Sequence, residues 1–404
     1  MKAVGIIVEY NPLHNGHLHH VQQAREKSNA DIVIAVMSGP FLQRGEPAIV
    51  SKWARTNMAL EAGIDMVIEL PYSFATQHAE VFASGAVDLL NSMLCDYVCF
   101  GSESGNINDF KETYEFLALH QQEENDLVKQ YIKKGYSYPK ARSFALEELN
   151  KRTSVKTLDL QTPNNILGFE YYKAVQKGNY KMEVLTIPRK LAGYHDEVFT
   201  SDTIASATSI RKELGKHKNM MAIQPYLPKS TYSILQTYRD TYHTYHTWEN
   251  YWPYLKFRLL QLTAQELSHI FEIEEGLEHR LLKFAKEAQS FQAFLTAIKT
   301  KRYTWTRLQR VCLHILTNTT KAEMKAVKKP AYIRLLGMTK KGRDYLKENK
   351  KNFLLPMLSK ISSFQHDQLE LDIRASHIYA LGAPITAQQS LLEMDFKQPP
   401  IMKE

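Results

Sequence analysis

Near the amino terminus, His14-Asn15-Gly16-His17 combines residue types that can handle a phosphate. The four residues follow an apolar run, Ala3–Val8, and a Pro-containing turn, and they open a stretch with helical spacing. A helix amino terminus presents unpaired backbone amides and a partial positive charge, so it suits a phosphate. Gly16 removes a side chain where a nucleotide would lie against the backbone. His14 and His17 can donate hydrogen bonds to phosphate oxygens as charge builds during displacement at an α-phosphate. Such catalysis works by positioning and charge stabilisation and needs no covalent nucleophile. In an isolated loop these would be two ordinary histidines. Their place at the end of a first strand gives them chemical meaning.

The elements that must hold them in place are legible as an alternation. Strand candidates are Ala3–Val8, Asp31–Met37, Asp65–Leu70 and Tyr97–Phe100, with Lys181–Ile187 further on. Between the first four lie His17–Ser28, Ser51–Ala62 and Ala79–Ser92, each with apolar residues at helical spacing. The strand runs are apolar on both faces, as buried parallel strands are. Alternating β and α elements predict an α/β fold with a doubly wound parallel sheet, whose ligands sit at the carboxyl ends of the strands. Residues 111–160 read as an amphipathic helical insertion. After about Leu214 the strand signals fade, and Leu255–Leu267, Glu278–Ala288, Phe291–Thr300 and Thr306–Thr317 read as helices. This predicts a catalytic domain over 1–214 and a mostly helical domain over 215–404.

The chain has 404 residues and a net charge of +8, with 44% hydrophobic content. The charge is uneven, near −4 over 1–214 and +12 over 215–404. A basic second half suits a polyanion. The densest part, Lys321 to Lys351, has 11 Lys/Arg against three acids and includes Lys328, Lys329, Arg334, Lys340, Lys341 and Arg343. Such side chains would contact phosphates with little sequence information, and the interleaved Tyr332 and Tyr345 would either pack in the core or stack on unpaired bases. No apolar run approaches the roughly 20 residues that span a bilayer. The first residues turn polar too early for a secretion signal. The three cysteines, Cys95, Cys99 and Cys312, lack zinc spacing and read as buried apolar groups. A cytoplasmic protein is expected, with no membrane or protein partner and no dedicated metal site.

His14-Asn15-Gly16-His17 resembles the HIGH-type motif of class I aminoacyl-tRNA synthetases and nucleotidyltransferases. That superfamily carries a second motif, Ile-Ser-x-Thr-x-x-Arg. Ile204-Ala205-Ser206-Ala207-Thr208-Ser209-Ile210-Arg211 matches it at Ser206, Thr208 and Arg211, with Ala205 inserted. A helix start, two hydroxyls and one guanidinium would make a second phosphate clamp facing the first. The likeness narrows further. Gly5-Ile6-Ile7-Val8-Glu9-Tyr10-Asn11-Pro12, the loop Ser38-Gly39-Pro40-Phe41-Leu42-Gln43-Arg44-Gly45-Glu46-Pro47 and Pro163-Asn164-Asn165-Ile166-Leu167-Gly168 resemble the bacterial tRNA(Met) cytidine acetate ligase family. The Gln-Arg-Gly-Glu-Pro loop is the most specific part.

The resemblance implies a Rossmann-like nucleotidyltransferase fold and a two-step reaction. ATP and acetate would form acetyl-adenylate, and the acetyl group would pass to the exocyclic amine of the wobble cytidine of elongator tRNA(Met). It implies an ATP cradle made by Ile7, Val8, Glu9, Tyr10, Asn11, Pro12, Leu13, His14, Asn15, Gly16, His17, Leu18, His19 and His20. Gly101 would let adenine or ribose approach the backbone, Asn164 would contact nucleotide from a turn before a helix, and Arg189 would pair with phosphate. Glu46 is a candidate for the cytidine site through its loop. Lys52 and Arg55, one turn apart, read as a solvated helix face, and Asp31 and Asp65 as turn residues. Magnesium is expected to arrive with ATP, held by phosphate oxygens and water. Two other functions stay open: an adenylyltransferase acting on a small phosphorylated metabolite, and an RNA-binding protein with an idle nucleotide fold.

Overall fold

In the computed structural model, residues 1–153, 155, 157–189, 205–216, 220–274 and 276–404 are described. Their strands are β1 (Ala3–Val8), β2 (Ile32–Ser38), β3 (Met66–Leu70), β4 (Tyr97–Ser102), β5 (Glu183–Pro188), β6 (Ile333–Thr339), β7 (Met357–Leu358) and β8 (Ile401–Lys403). They form one sheet in the order β5-β4-β1-β2-β3-β6-β7, with β8 also paired to β6. Strands β1 to β5 are parallel, as their two-sided apolar pattern requires. After β3 the chain crosses back to lay β4 on the other side of β1, so the strand order reverses there. That reversal opens a crevice at the carboxyl ends of β1 and β4.

Helices α1 (Asn15–Ser28), α2 (Lys52–Glu61), α3 (Tyr72–Ala75) and α4 (Ala79–Ser92) link the first four strands. α1 ends where Asn29 turns left-handed at φ 48°. α4 packs close on the sheet because Gly5 has no side chain; a Cβ there would lie 2.4 Å from Leu90. The expected helical insertion is present as α5 (Ile107–Leu119), α6 (Gln121–Lys133) and α7 (Tyr138–Thr153). α8 (Pro163–Gly178) then packs against α4, and α9 (Ala207–Lys216) follows the undescribed segment.

The second half is mostly helical but does not leave the sheet. β6 runs antiparallel to β3, and β7 and β8 join it, so the sheet is mixed rather than wholly parallel. The strand signals that fade after about Leu214 thus return in three short strands. β6 hides in the basic stretch because Arg334 and Gly337 interrupt its apolar run. The expected helix Leu255–Leu267 is also redrawn. It begins earlier, at Trp248, behind a Thr247 capping box, and breaks at Leu262, where Thr263 caps a short second helix.

Arg334 and its neighbours form a buried ion network. Lys52 Nζ lies 2.8 Å from Glu69 and 3.0 Å from Asp395, while Arg334 lies 3.3 Å from Glu69 and 3.2 Å from Asp395. All four side chains are at most 4% exposed. Arg55 is fully buried, and donates to the carbonyls of Glu9, Ser38 and Gly39. Lys52 and Arg55 are therefore interior groups, not the solvated face expected. Asp31 and Asp65 do serve the backbone, accepting from the N–H groups of Lys2 and Val33.

Two buried histidines make the fold acid-sensitive. His246 bonds Tyr238 and Tyr251 at 2.9 and 2.7 Å, and His314 bonds Tyr72 at 3.0 Å. Burial pulls both pKa values down to about 3. In the unfolded chain each protonates near pH 6.5. Their contribution to stability is intact above that pH and is lost as pH falls toward 3, at up to about 1.4 kcal/mol per pH unit for each. The urea midpoint should therefore drop steeply between pH 6.5 and pH 5. A His246→Gln/His314→Gln variant should show a shallower slope over the same range.

Candidate active site

The chain leaves β1 into a turn that is held from three sides. Tyr10 takes φ 51°, and the Asn11–Pro12 peptide is cis. Asn11 Oδ1 accepts the Ile49 N–H at 2.8 Å. Arg55 grips the Glu9 carbonyl at 2.8 Å from below. Arg211 donates to the Asn11 carbonyl at 2.9 Å. The turn delivers His14 as the N-cap of α1, where its Nδ1 accepts the Gly16 N–H at 3.1 Å. His17 Nδ1 accepts the His14 N–H at 3.3 Å, so the two imidazoles close a reciprocal cap and stack at 3.7 Å.

This geometry fixes the tautomers. Both Nδ1 atoms act as acceptors, so each neutral ring carries its proton on Nε2. Both rings are held neutral. Burial, with Arg189 and Arg211 nearby, brings the His14 pKa down to about 3. Burial and the neighbouring His14 and His20 hold His17 well below its usual value. Each histidine thus offers one fixed N–H donor without having to gain a proton.

A cavity of about 290 Å³ lies at the carboxyl ends of β1 and β4. Of the cradle residues expected, Ile7, Val8, Glu9, Tyr10, Asn11, His14, Gly16, His17, His19 and His20 line it. Pro12, Leu13, Asn15 and Leu18 do not: Leu13 and Leu18 belong to the core, and Asn15 Nδ2 donates to the Pro225 carbonyl at 2.9 Å. The second motif faces the first across the cavity, with Ser206, Thr208 and Arg211 in its wall. Ser206 Oγ accepts the Ser209 N–H at 3.0 Å, which fixes the start of α9. Arg211 reaches Thr208 Oγ1 at 3.5 Å and Glu46 at 3.3 Å. Ile204 lies outside the described residues.

Gly101, Asn164 and Arg189 also line the cavity. A Cβ on Gly101 would meet nothing nearer than Arg189 Cγ at 3.7 Å, so the space its side chain would fill is left to the cavity. Asn164 sits in the first turn of α8 rather than before it, with its amide bound to Glu103 at 2.6 Å. Sequence reasoning missed Phe82, Leu167 and Tyr171. The signal was present for two of them, because Asn164, Leu167 and Tyr171 follow at three and four residues along one face of α8. Three buried polar atoms of the lining residues have no hydrogen-bond partner among the described residues: Tyr10 Oη, Asn11 Nδ2 and His20 Nε2.

The basic candidates lie apart from this cavity. Lys328 and Lys329 precede β6, and Lys340, Lys341 and Arg343 open the helix Lys340–Asn349 after it; all five are exposed. Because β6 is antiparallel, its end at Thr339 meets Asp65 at the amino end of β3, so Lys340, Lys341 and Arg343 sit at the opposite edge of the sheet from the cavity. Tyr332 and Tyr345 are buried, at 0% and 1% exposure, and cannot stack on bases.

A mainly parallel sheet with these two motifs facing each other at its switch point is the arrangement of a nucleotidyltransferase. The family model described as HIGH Nucleotidyl Transferase matches residues 1–394. The chain is 49% identical to the tRNA(Met) cytidine acetate ligase of Geobacillus sp. (strain WCH70), over the whole of both chains. It is 49% identical to that of Bacillus subtilis (strain 168), over 94% of this chain and 92% of the relative. The crystal structure of Thermotoga maritima TmcAL in its apo form superposes with a TM-score of 0.93 at 34% identity, covering all of both chains. The same enzyme bound with alpha-thio ATP gives a TM-score of 0.91. The chain belongs to the tRNA(Met) cytidine acetate ligase family.

Proposed function

We propose that this protein activates acetate with ATP and transfers the acetyl group to the exocyclic amine of the wobble cytidine of elongator tRNA(Met). In the first step an acetate oxygen attacks the α-phosphorus. The bond to the β-phosphate oxygen breaks, and pyrophosphate leaves. The Nε2–H donors of His14 and His17 meet the charge that builds on the α-phosphate oxygens. Arg189 from one wall, and Ser206, Thr208 and Arg211 from the other, hold the remaining phosphates. Magnesium, were it to accompany ATP, would offset phosphate charge, with phosphate oxygens and water rather than protein groups holding it. Glu9, one of the carboxylates lining the cavity, is already engaged by the Gln43 N–H at 2.7 Å.

The observation that carries the reading is the polar cavity wall. His14 and His17 line the cavity from the first motif and Ser206, Thr208 and Arg211 from the second, so donors suited to phosphate converge on one space. Incubation with ATP, labelled acetate and tRNA(Met) should place label on the tRNA. Label absent from the tRNA, with ATP turnover on a phosphorylated metabolite instead, would overturn it in favour of a small-molecule adenylyltransferase.

The exposed Lys328, Lys329, Lys340, Lys341 and Arg343 are proposed to hold tRNA phosphates away from the reacting centre, using charge rather than base contacts. Lys340→Glu/Lys341→Glu should weaken tRNA binding most at low salt. The slope of log affinity against log salt should flatten by up to about 2. A filter-binding titration over several salt concentrations reads this, and an unaltered slope would place the tRNA surface elsewhere. A cytoplasmic location fits such a substrate. No helix among the described residues is long and apolar enough to cross a membrane, and Cys95, Cys99 and Cys312 are free and buried.

A further inference from the structure

A second cavity, of about 490 Å³, adjoins the nucleotide cavity. Glu46 and Arg211 line both, so the seam between the two is an ion pair rather than a packed wall. The far side is built by Tyr245, His246, Trp248, Asn250 and Gln309. Trp248 is 7% exposed, and its indole N–H has no hydrogen-bond partner among the described residues. Its ring is fixed by a parallel stack on Phe291 at 4.3 Å. The indole N–H has almost no accessible surface, so Trp248 walls the cavity without donating into it. Neutral His246, with both ring nitrogens taken by Tyr238 and Tyr251, adds an aromatic surface without charge.

We infer that this second cavity receives the acceptor cytosine, with Glu46 binding and deprotonating its exocyclic amine and Trp248 walling the space the base enters. The inference rests on the ligase reading above. An adenylate held between His17 and Arg211 presents its acyl carbon at the seam. A base splayed out of a single-stranded loop can enter from the other side. A carboxylate is the natural acceptor for the amine of cytosine. The lone pair of the amine attacks the acetyl carbonyl carbon, and the carbon–nitrogen bond forms. The carbon–oxygen bond to phosphate breaks, and its electron pair leaves on AMP. The amine proton passes to Glu46. The amine of cytosine is conjugated with its ring and is a weak nucleophile, so it needs a base within reach. Arg211, now facing the AMP phosphate, balances the charge that Glu46 gives up.

The test separates the half-reactions in the full-length protein. Acetate-dependent exchange of pyrophosphate into ATP reports activation. Label passing from acetate to tRNA(Met) reports transfer. Glu46→Gln should lower the ratio of transfer to exchange by about 100-fold or more, as loss of a general base does. Trp248→Ala removes that wall and should lower the same ratio about tenfold, through a higher KM for tRNA, the size expected for one lost aromatic contact. Residual exchange reports that each variant is folded. A ratio unaltered in both variants would overturn the assignment of the second cavity and leave the ligase reading standing. No acetate-dependent exchange in the unaltered protein would overturn the ligase reading itself.

Discussion

His17→Ala should reduce acetate-dependent ATP–pyrophosphate exchange by about 100- to 1,000-fold, the range expected when one fixed donor to a developing oxyanion is removed. The ring is locked twice. Its Nδ1 is occupied by the His14 N–H, and its face is stacked on the His14 ring. The remaining Nε2–H therefore needs no reorganisation when charge builds on phosphate. Alanine also removes the acceptor for the His14 N–H and so loosens the start of α1, at a cost of about 1 kcal/mol. That cost is too small to account for a loss of this size. Thermal melting checks it independently. The affinity for tRNA(Met) should stay close to that of the unaltered protein, because the basic groups at Lys340 and Lys341 lie at the other edge of the sheet. His17→Asn, whose amide can both accept from His14 and donate onward, should recover part of the activity. Because both imidazoles are neutral well above their folded pKa values, the exchange rate should not rise or fall through their titration between pH 6 and pH 8. An exchange rate near normal for His17→Ala would remove the motif from the chemistry.

What the sequence revealed of the site and what it hid follow one physical division. His14 to His17 and Ser206 to Arg211 were legible because a helix start, its cap and its phosphate donors are neighbours in the chain. The first five strands were legible because a strand buried on both faces has to be apolar throughout. β6 was not, because its charged residue is neutralised by partners far away in sequence: Glu69 and Asp395 lie on β3 and on the helix Ile385–Lys397. The same distance hid Lys52 and Arg55. A local hint existed, since Trp53, Met58, Ala59 and Leu60 surround them on α2 and leave little of that helix to face water. Glu46 could be singled out by its loop, but its position at the seam depends on Arg211, 165 residues on. Tyr332 and Tyr345 take the first of the two roles open to them: both side chains pack in the core, beside lysines that stay in water.

Lys52→Met should destabilise the protein by about 3–5 kcal/mol, the cost of breaking a buried ion network by removing one member. Without Lys52, Glu69 and Asp395 face Arg334 alone, and with the buried Asp372 close by the carboxylates outnumber the one cation. Burial opposes the ionisation of Asp395, but Lys52 and Arg334 together outweigh it and hold its pKa well below the usual carboxylate value. Losing one of those cations weakens that hold. A second replacement should therefore repair much of the damage. Lys52→Met/Asp395→Leu leaves Glu69 and Arg334 as a balanced pair in an apolar setting, and replacing buried charges by packed apolar groups is often neutral. Trp53, whose indole N–H reaches Asp395 at 3.3 Å, loses a weak partner in the exchange, so recovery should be large but incomplete. Urea unfolding at pH 7 measures all three proteins. The pH dependence sharpens the test. The single variant has a surplus buried negative charge, so one carboxylate takes up a proton as pH falls. Its deficit relative to the unaltered protein should shrink between pH 7 and pH 5; the deficit of the double variant should shrink less, because only Asp372, and not Asp395, still gains from the proton. A double variant less stable than the single one would mean that Asp395 holds the helix Ile385–Lys397 to the sheet through its other contacts, Trp53 and Arg334, rather than through Lys52.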